Sequence, residues 1–543
     1  MTDLQLPALS DEAAPEFSDA VSAKAWLEHL PLANVNAAQH QLLAQIDEFN
    51  RYAAKGTVRL ATLEVLREAV HFVEIEQARR FTARALPMSE NEGAVFDETL
   101  GLWERMRLGY QRCLQAALAG EPGMKAQAAF ACQRVLAYTG LKMFHYHRAY
   151  RQVPPREWRE LHQSYARAEA LGVAEEQVKD YLNRDVNDAS PRIAYMRAVL
   201  LGMANPNELS QRQLTFVAFL LERWAEKVEV HGEQPADEVD LPPLAVDLAS
   251  DACPERGVKA AEPRYLDVKR LAKSLRNRIG LLRKGESPAK LALGEDCVQP
   301  SCEQLLVFLY RQWCQARPPR DPERKRASDT AQCSTELAAI HYYVSGRVFR
   351  QPDQAGESKE LTSKQRAEME AFGRLRTSDE DDYSVVHGFQ LEHWKIEDES
   401  ALGLRMMRGA GNPGNRHTHG RLIGVKPGDA KSFLLGQFRW LTQNDAGDIQ
   451  AGVRLLPGLP AATAVRATGL NVQAHDAKWV QALSLTAVAA LDSPPALVLP
   501  AGWFKPKRVI EVFVEGQGAV RVRLTEVIER GSDYERVAYE VVP

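Results

Sequence analysis

The residues of this chain best placed to do chemistry lie in one stretch, Trp394-Lys-Ile-Glu-Asp398-Glu-Ser400-Ala-Leu-Gly403-Leu-Arg405. An Asp and a Ser two positions apart can turn side-chain oxygens and backbone amides toward one point. A Gly three positions further on permits positive φ or close approach of a ligand to the backbone. That is the chemistry of a polar binding corner. The plainer reading of the same residues is a hairpin turn. Guanidinium groups lie on both sides in sequence: Arg405 and Arg408 follow, while Arg374-Leu-Arg376 and Arg347-Val-Phe-Arg350 precede.

Motifs for catalysis are missing. There is no Walker loop, no GxGxxG opening a helix, no HExxH and no GxSxG. His417-Thr-His419 sits in a Gly/Asn-rich loop without a third metal ligand and reads as an exposed turn. His341, His387 and His393 stand alone among strand-like residues and read as structural. The acidic run Ser378 to Asp382 reads as a solvated loop. Without a nucleophile, a base and oxyanion donors, the sequence argues against an enzyme and gives no metal site. Seven cysteines are scattered with no CxxC pair. Cys297 and Cys302 lack a second pair to complete a zinc site, so all seven are expected as reduced thiols of a cytoplasmic protein. The acidic N-terminus has no apolar region of a signal peptide, and no run of 18 apolar residues appears, so membrane insertion is not expected. A formal net charge of -4 gives no global case for a nucleic-acid polymer.

The elements that must position the corner divide the 543 residues into about three domains. Residues 1–20 read as a leader and 21–230 as an all-α bundle or solenoid of eight or nine helices. Leu63, Leu66, Val70 and Val73 share one helical face, and Phe96, Leu100, Trp103, Tyr110 and Leu114 another. Lys142 to Arg151, rich in aromatic and basic residues, reads as a helix with an aromatic core stripe. Residues 231–262, acidic and proline-containing, read as a linker, and 263–333 as a basic helical connector. From 334 onward, short strand-like runs alternate with turn residues, beginning at 338–349. They predict an antiparallel β-barrel over 334–460 and a further β-rich segment over 461–543. The fold class is therefore multidomain α + β.

The corner and the strands after it form a recognisable order. Asp398-x-Ser400-x-x-Gly403 leads into Leu404-Arg405-Met406, then Gly420-Arg-Leu-Ile-Gly-Val425, Phe433-Leu-Leu-Gly436 and Ile449-Gln-Ala-Gly452-Val453-Arg454-Leu455. This order resembles the PilZ family of cyclic di-GMP receptors, over about 70 residues closely and about 150 loosely. The resemblance implies a small closed barrel, cyclic di-GMP as ligand, and ligand contacts from Asp398, Ser400 and the Gly403 backbone. It also implies an Arg-x-x-x-Arg just before the barrel. The sequence leading up to the corner departs from that spacing, and Arg374, Arg376, Arg347, Arg350 and Arg405 are the nearest candidates. Guanidinium forks suit both phosphate and the guanine O6/N7 edge.

On these grounds the chain is expected to be a cytoplasmic bacterial signalling effector that relays cyclic di-GMP to a protein partner through its helical half. The competing expectation is a ligand-independent scaffold with a degenerate barrel. Charge and strand content alone would also allow an RNA-binding barrel, but the stacking aromatics of such a surface are not apparent.

Overall fold

The computed structural model describes residues 4, 6–184, 186–234, 244–255, 260–294, 297, 301–315, 325–327, 329–352, 388–468 and 478–542. They divide into two compact units: 1–84 with 88–319, and 85–87 with 320–543.

In the first unit, ten α-helices occur among the described residues. They are α1 (Ala20–Leu27), α2 (Val35–Arg51), α3 (Gly56–Ala78), α4 (Glu90–Leu118), α5 (Ala128–Arg148), α6 (Pro155–Ala170), α7 (Pro191–Met203), α8 (Gln211–Trp224), α9 (Lys269–Arg283) and α10 (Ser301–Cys314). Their starts are written in the sequence. Ser89 and Glu92 close a capping box on α4, Ser210 and Gln213 do the same on α8, and Pro155 and Pro191 open α6 and α7. Trp103, Tyr110 and Tyr138 are fully buried where α4 meets α5. The aromatic-basic stretch lies inside, as expected. Lys142 reaches Glu104 at 2.6 Å and Glu157 at 2.9 Å, and His145, Tyr146 and His147 are buried.

Short strands punctuate this unit. β1 (Val178–Lys179) pairs with β2 (Asp188–Ala189), and β5 (Pro263–Asp267) lies between β3 (Glu229–His231) and β4 (Ala245–Asp247). The stretch expected as a plain linker thus supplies a strand. Of the basic helical connector expected over 263–333, α9 forms with Leu271, Leu275, Ile279 and Leu282 buried, while residues 263–267 and 330–333 are strand. One expectation is corrected: Cys297 and Cys302 are not free thiols but a disulfide. Their Cα atoms lie 5.0 Å apart, within bridging distance. No helix among the described residues is long and apolar enough to cross a membrane.

The second unit holds two six-stranded rings. The first contains β6 (Lys325–Arg326), β7 (Thr330–Thr335), α11 (Leu337–Ser345), β8 (Glu392–Ser400), β9 (Gly403–Arg408), β10 (Leu422–Pro427), β11 (Leu434–Gln443) and β12 (Ile449–Leu455). The antiparallel order β8-β7-β10-β11-β12-β9 closes on itself through β9–β8, with β6 extending β7 along β8. The second ring contains β13 (Pro460–Ala467), β14 (Val480–Leu485), β15 (Ala496–Pro500), β16 (Val509–Val514), β17 (Gly518–Arg530) and β18 (Tyr534–Val541). It closes as β13-β14-β15-β18-β17-β16.

The strand expected at 338–349 is instead the helix α11. Its β-branched and aromatic residues favour strand, but Leu337, Ile340 and Val344 recur at helical spacing. Ile340 fills a core shared by Leu422 and Leu435 of the first ring and Leu483, Leu485 and Val498 of the second. β15 buries both faces: Ala496 and Val498 face that shared core, while Leu497 and Leu499 face the interior of the second ring. That explains its unbroken apolar run, where alternation would be the norm for a strand wetted on one side.

Candidate functional site

The corner sits at the tip of the β8–β9 hairpin, with Ala401-Leu402 as its two-residue turn. Ser400 Oγ donates to Gly403 O at 3.2 Å, across the turn. Gly403 does not have positive φ. Its glycine is required because an added Cβ would lie 2.6 Å from Val453 O on β12. Asp398 is half-buried and lies across from Arg405 on β9 and Arg326 on β6. Arg405 Nε meets Glu397 Oε2 at 2.9 Å. Asp398, Ser400, Gly403 and Arg405 are therefore brought together on one hairpin, and much of their hydrogen bonding serves that hairpin.

The outlying arginines differ. Arg347, just past α11, pairs with Glu515 at 3.4 Å with both side chains exposed, and Arg350 is exposed. Arg374 and Arg376 lie outside the described residues.

Behind the hairpin is a cluster that sequence reasoning missed. Glu392, Arg408 and His417 are 2%, 3% and 1% exposed, so none of them faces solvent. Glu392 Oε2 accepts from Arg408 Nη1 at 2.7 Å, His417 Nε2 at 2.9 Å and Trp394 Nε1 at 2.9 Å, and Oε1 accepts from Asn415 N at 2.7 Å. Burial pushes the Glu392 carboxyl up, but these donors more than offset it and hold it at about 2. Burial is also the largest influence on His417 and lowers it, so the imidazole is neutral with its proton on Nε2. His417 was expected on an exposed turn; it is a buried donor. Arg408 was a candidate to reach a ligand; it is spent on Glu392. Among the described residues no three His, Cys, Asp or Glu side chains are grouped to hold a metal. The signal that could have found the cluster is Gly414, where a Cβ would overlap the Arg408 guanidinium.

A second omission concerns the arginine pair. The ring begins with β6 and β7, ahead of α11, so the segment before the barrel precedes residue 325 rather than residue 334. That segment reads Arg320-Asp-Pro-Glu-Arg324, an Arg-x-x-x-Arg whose residues lie outside the described ones. It leads into β6, where Lys325 and Arg326 pair with Glu399 and Asp398 of the corner. The spacing was in the sequence all along. An expected first strand at 338 lies too far along the chain for this spacing to count as the segment before the barrel.

Two family models match the chain. One, described as the N-terminal domain of the cyclic-di-GMP receptor FimW, matches residues 21–236, and the FimW C-terminal β-barrel domain matches residues 463–542. The first coincides with the helical bundle and the second with the ring from β13 to β18. A curated relative, the cyclic-di-GMP receptor FimW of Pseudomonas aeruginosa, is 24% identical over 545 residues, covering 92% of this chain and 87% of the relative. The two domain matches together span more than half of the chain, and it belongs to the FimW family.

Proposed function

We propose that this chain is a cyclic di-GMP receptor, a binding protein rather than an enzyme. Its ligand lies between the Arg320-x-x-x-Arg324 segment and the Asp398 hairpin. The observation that carries the reading is an arginine pair of the right spacing leading into the strand beside Asp398, in a chain whose relative is named a cyclic-di-GMP receptor. In this reading the two guanidinium groups take phosphate and guanine edges, Asp398 and Ser400 accept and donate at the base, and the Gly403 backbone admits close approach. Arg374, Arg376, Arg347 and Arg350 are secondary candidates. Ligand capture fixes the arginine-bearing segment against the barrel. Because that segment connects the helical unit to the barrel in sequence, capture is relayed to a protein partner of the helical unit.

The scaffold reading keeps one observation in its favour. Ser400, Arg405 and Arg408 already have partners inside the barrel. Calorimetric titration with cyclic di-GMP separates the two. The receptor reading expects micromolar or tighter binding, weakened roughly tenfold or more by Asp398→Ala and by Arg320→Ala/Arg324→Ala, the scale of losing one charge-assisted hydrogen bond. Binding that is weakened only by Arg374→Ala/Arg376→Ala moves the arginines to the later segment. No heat from the folded wild type overturns the receptor reading.

A further inference from the structure

A cavity of about 260 Å³ opens among α3, α4, α5, α7 and α8, wholly within the helical unit. Its walls are aromatic. Trp103 lies 5.5 Å from the Tyr138 ring and 6.0 Å from the nearly parallel His145 ring, and Phe144 and Phe219 also line it. Four polar atoms on this wall are buried without a hydrogen-bond partner: Trp103 Nε1, His71 Nδ1, His145 Nδ1 and Arg148 Nε. Buried polar groups are rarely left so, and four around one cavity call for a ligand with matching heteroatoms. Burial, reinforced by neighbouring arginines, lowers both histidines, so they are neutral.

The charge balance points to an anion. Four arginines line the cavity against two carboxylates, and both carboxylates are engaged. Asp180 is held by Arg67 at 2.7 Å, and Glu222 takes Arg197 at 3.5 Å and the Arg184 amide at 3.0 Å. Arg148 has no carboxylate partner among the described residues. Its guanidinium rests over the Phe144 ring at 5.5 Å, and burial lowers it to about 10. Arg184 is exposed at the rim.

We propose that this cavity binds a nucleobase carrying a phosphate. The flat ring stacks against the Phe219 side of the aromatic wall, its edge heteroatoms pair with the unpartnered indole and imidazole nitrogens, and the phosphate meets Arg148. A hydrocarbon ring would leave those nitrogens unpaired, and a bare anion would leave the aromatic wall bare. The volume lies just under the ~300–1,000 Å³ of drug-sized sites, a size for one nucleotide and not two. The site is separate from the barrel corner, and the inference does not depend on the reading given for that corner.

Calorimetry on the full chain tests it with GMP, cyclic di-GMP and inorganic phosphate, on wild type, Arg148→Gln, Trp103→Phe and Ala218→Leu. The last fills the cavity without removing a polar group. The expected result is binding of GMP or cyclic di-GMP that falls at least tenfold in Arg148→Gln and Ala218→Leu and less in Trp103→Phe, with melting temperatures unchanged. If GMP is the affected ligand the source is a mononucleotide; if only cyclic di-GMP is affected, one of its bases occupies the cavity. The proposal is overturned if neither ligand's affinity responds to Arg148→Gln and Ala218→Leu, or if phosphate alone binds as tightly as GMP. Should Arg148→Gln unfold, Ala218→Leu and Trp103→Phe decide.

Discussion

The two rings of the second unit have the same number of strands and the same closure, but they are held together differently. The later ring follows the chain from β13 to β18, and its interior is apolar: Val465, Leu497, Leu499, Ile510, Val522 and Leu524. Its buried charges, Glu535 and Arg536, reach loop and rim groups such as the Phe504 amide, Arg530 and Ser493. The earlier ring is interrupted after β7 by residues 336–391, and it wraps Glu392, Arg408 and His417 around one another inside. A ring built from consecutive strands can take its register from turns and alternation alone. One that must close across a long insertion has weaker local instruction, and a charge cluster that fits only one register can supply it.

Breaking that cluster should have the largest effect. Glu392→Ala leaves the Arg408 guanidinium buried without its carboxylate, and the expected loss is about 3–5 kcal/mol, read from hydrogen exchange of the β8 and β9 amides. Leu497→Ala in the later ring costs about 2–5 kcal/mol as a cavity and should leave the β8 and β9 amides protected. The two rings should also part with pH. Glu392 is held at about 2, below its ordinary value of 4.5, so it stabilises the native state above 4.5 and that contribution is lost as pH falls toward 2. His417 is lowered as well. The unfolded chain takes up its proton first, and stability begins to fall as pH drops below 6.5. Exchange in β8 and β9 should therefore quicken on acidification before that in β15 and β16. Equal acid sensitivity of the two rings would remove the cluster from its stabilising role.

The same contrast marks what could be read from the sequence. Strands β9 to β18 were legible because alternation and turn residues are local signals. The helices of the first unit were legible from their 3.6-residue periodicity. α11 was not, since Ile340, Tyr342 and Tyr343 favour strand until a shared core between two rings asks for a helix. Nor was the first strand, β7: Thr330 to Thr335 carries little apolar alternation, and its partners β8 and β10 lie far along the chain. That one misplacement hid Arg320 and Arg324. The corner residues were found, but the Glu392 cluster joins residues 16 and 25 positions apart through burial, which no spacing announces.

Gly403→Ala sharpens the comparison at the corner and should come next in size. The added Cβ falls 2.6 Å from Val453 O, so β9 or β12 must shift, at about 1–3 kcal/mol. If the glycine serves the ring, protection of both strands falls in the absence of ligand. If it served only ligand approach, stability would hold while cyclic di-GMP binding fell. Melting and titration of the one variant distinguish the two, and the geometry expects the first, with any loss of binding following from it.

The smallest effect is expected where the rings meet. Asp533, in the β17–β18 turn, accepts from Leu422 N at 2.9 Å and faces Arg421 at 3.4 Å. Burial raises its carboxyl above 3.8 despite the Leu422 amide and Arg421. Its native proton is thus held more tightly than in the unfolded chain. The contribution from this group is greatest below 3.8 and is lost as pH rises through the native value, opposite in sign to Glu392. Asp533→Asn keeps an oxygen for the Leu422 amide and removes the cost of burying a charge, while forgoing a partly solvated ion pair. The two changes nearly cancel, and stability at pH 7 should move by less than about 1 kcal/mol in either direction. Asp533→Ala leaves the Leu422 amide unpaired and should be the costlier change by about 1 kcal/mol, seen as faster exchange at Leu422. If the Asn variant proves the more damaging of the two, the rings are joined by the Arg421 charge pair. If the Ala variant does, the neutral hydrogen bond joins them, as the polar cluster deeper in the first ring leaves it free to do.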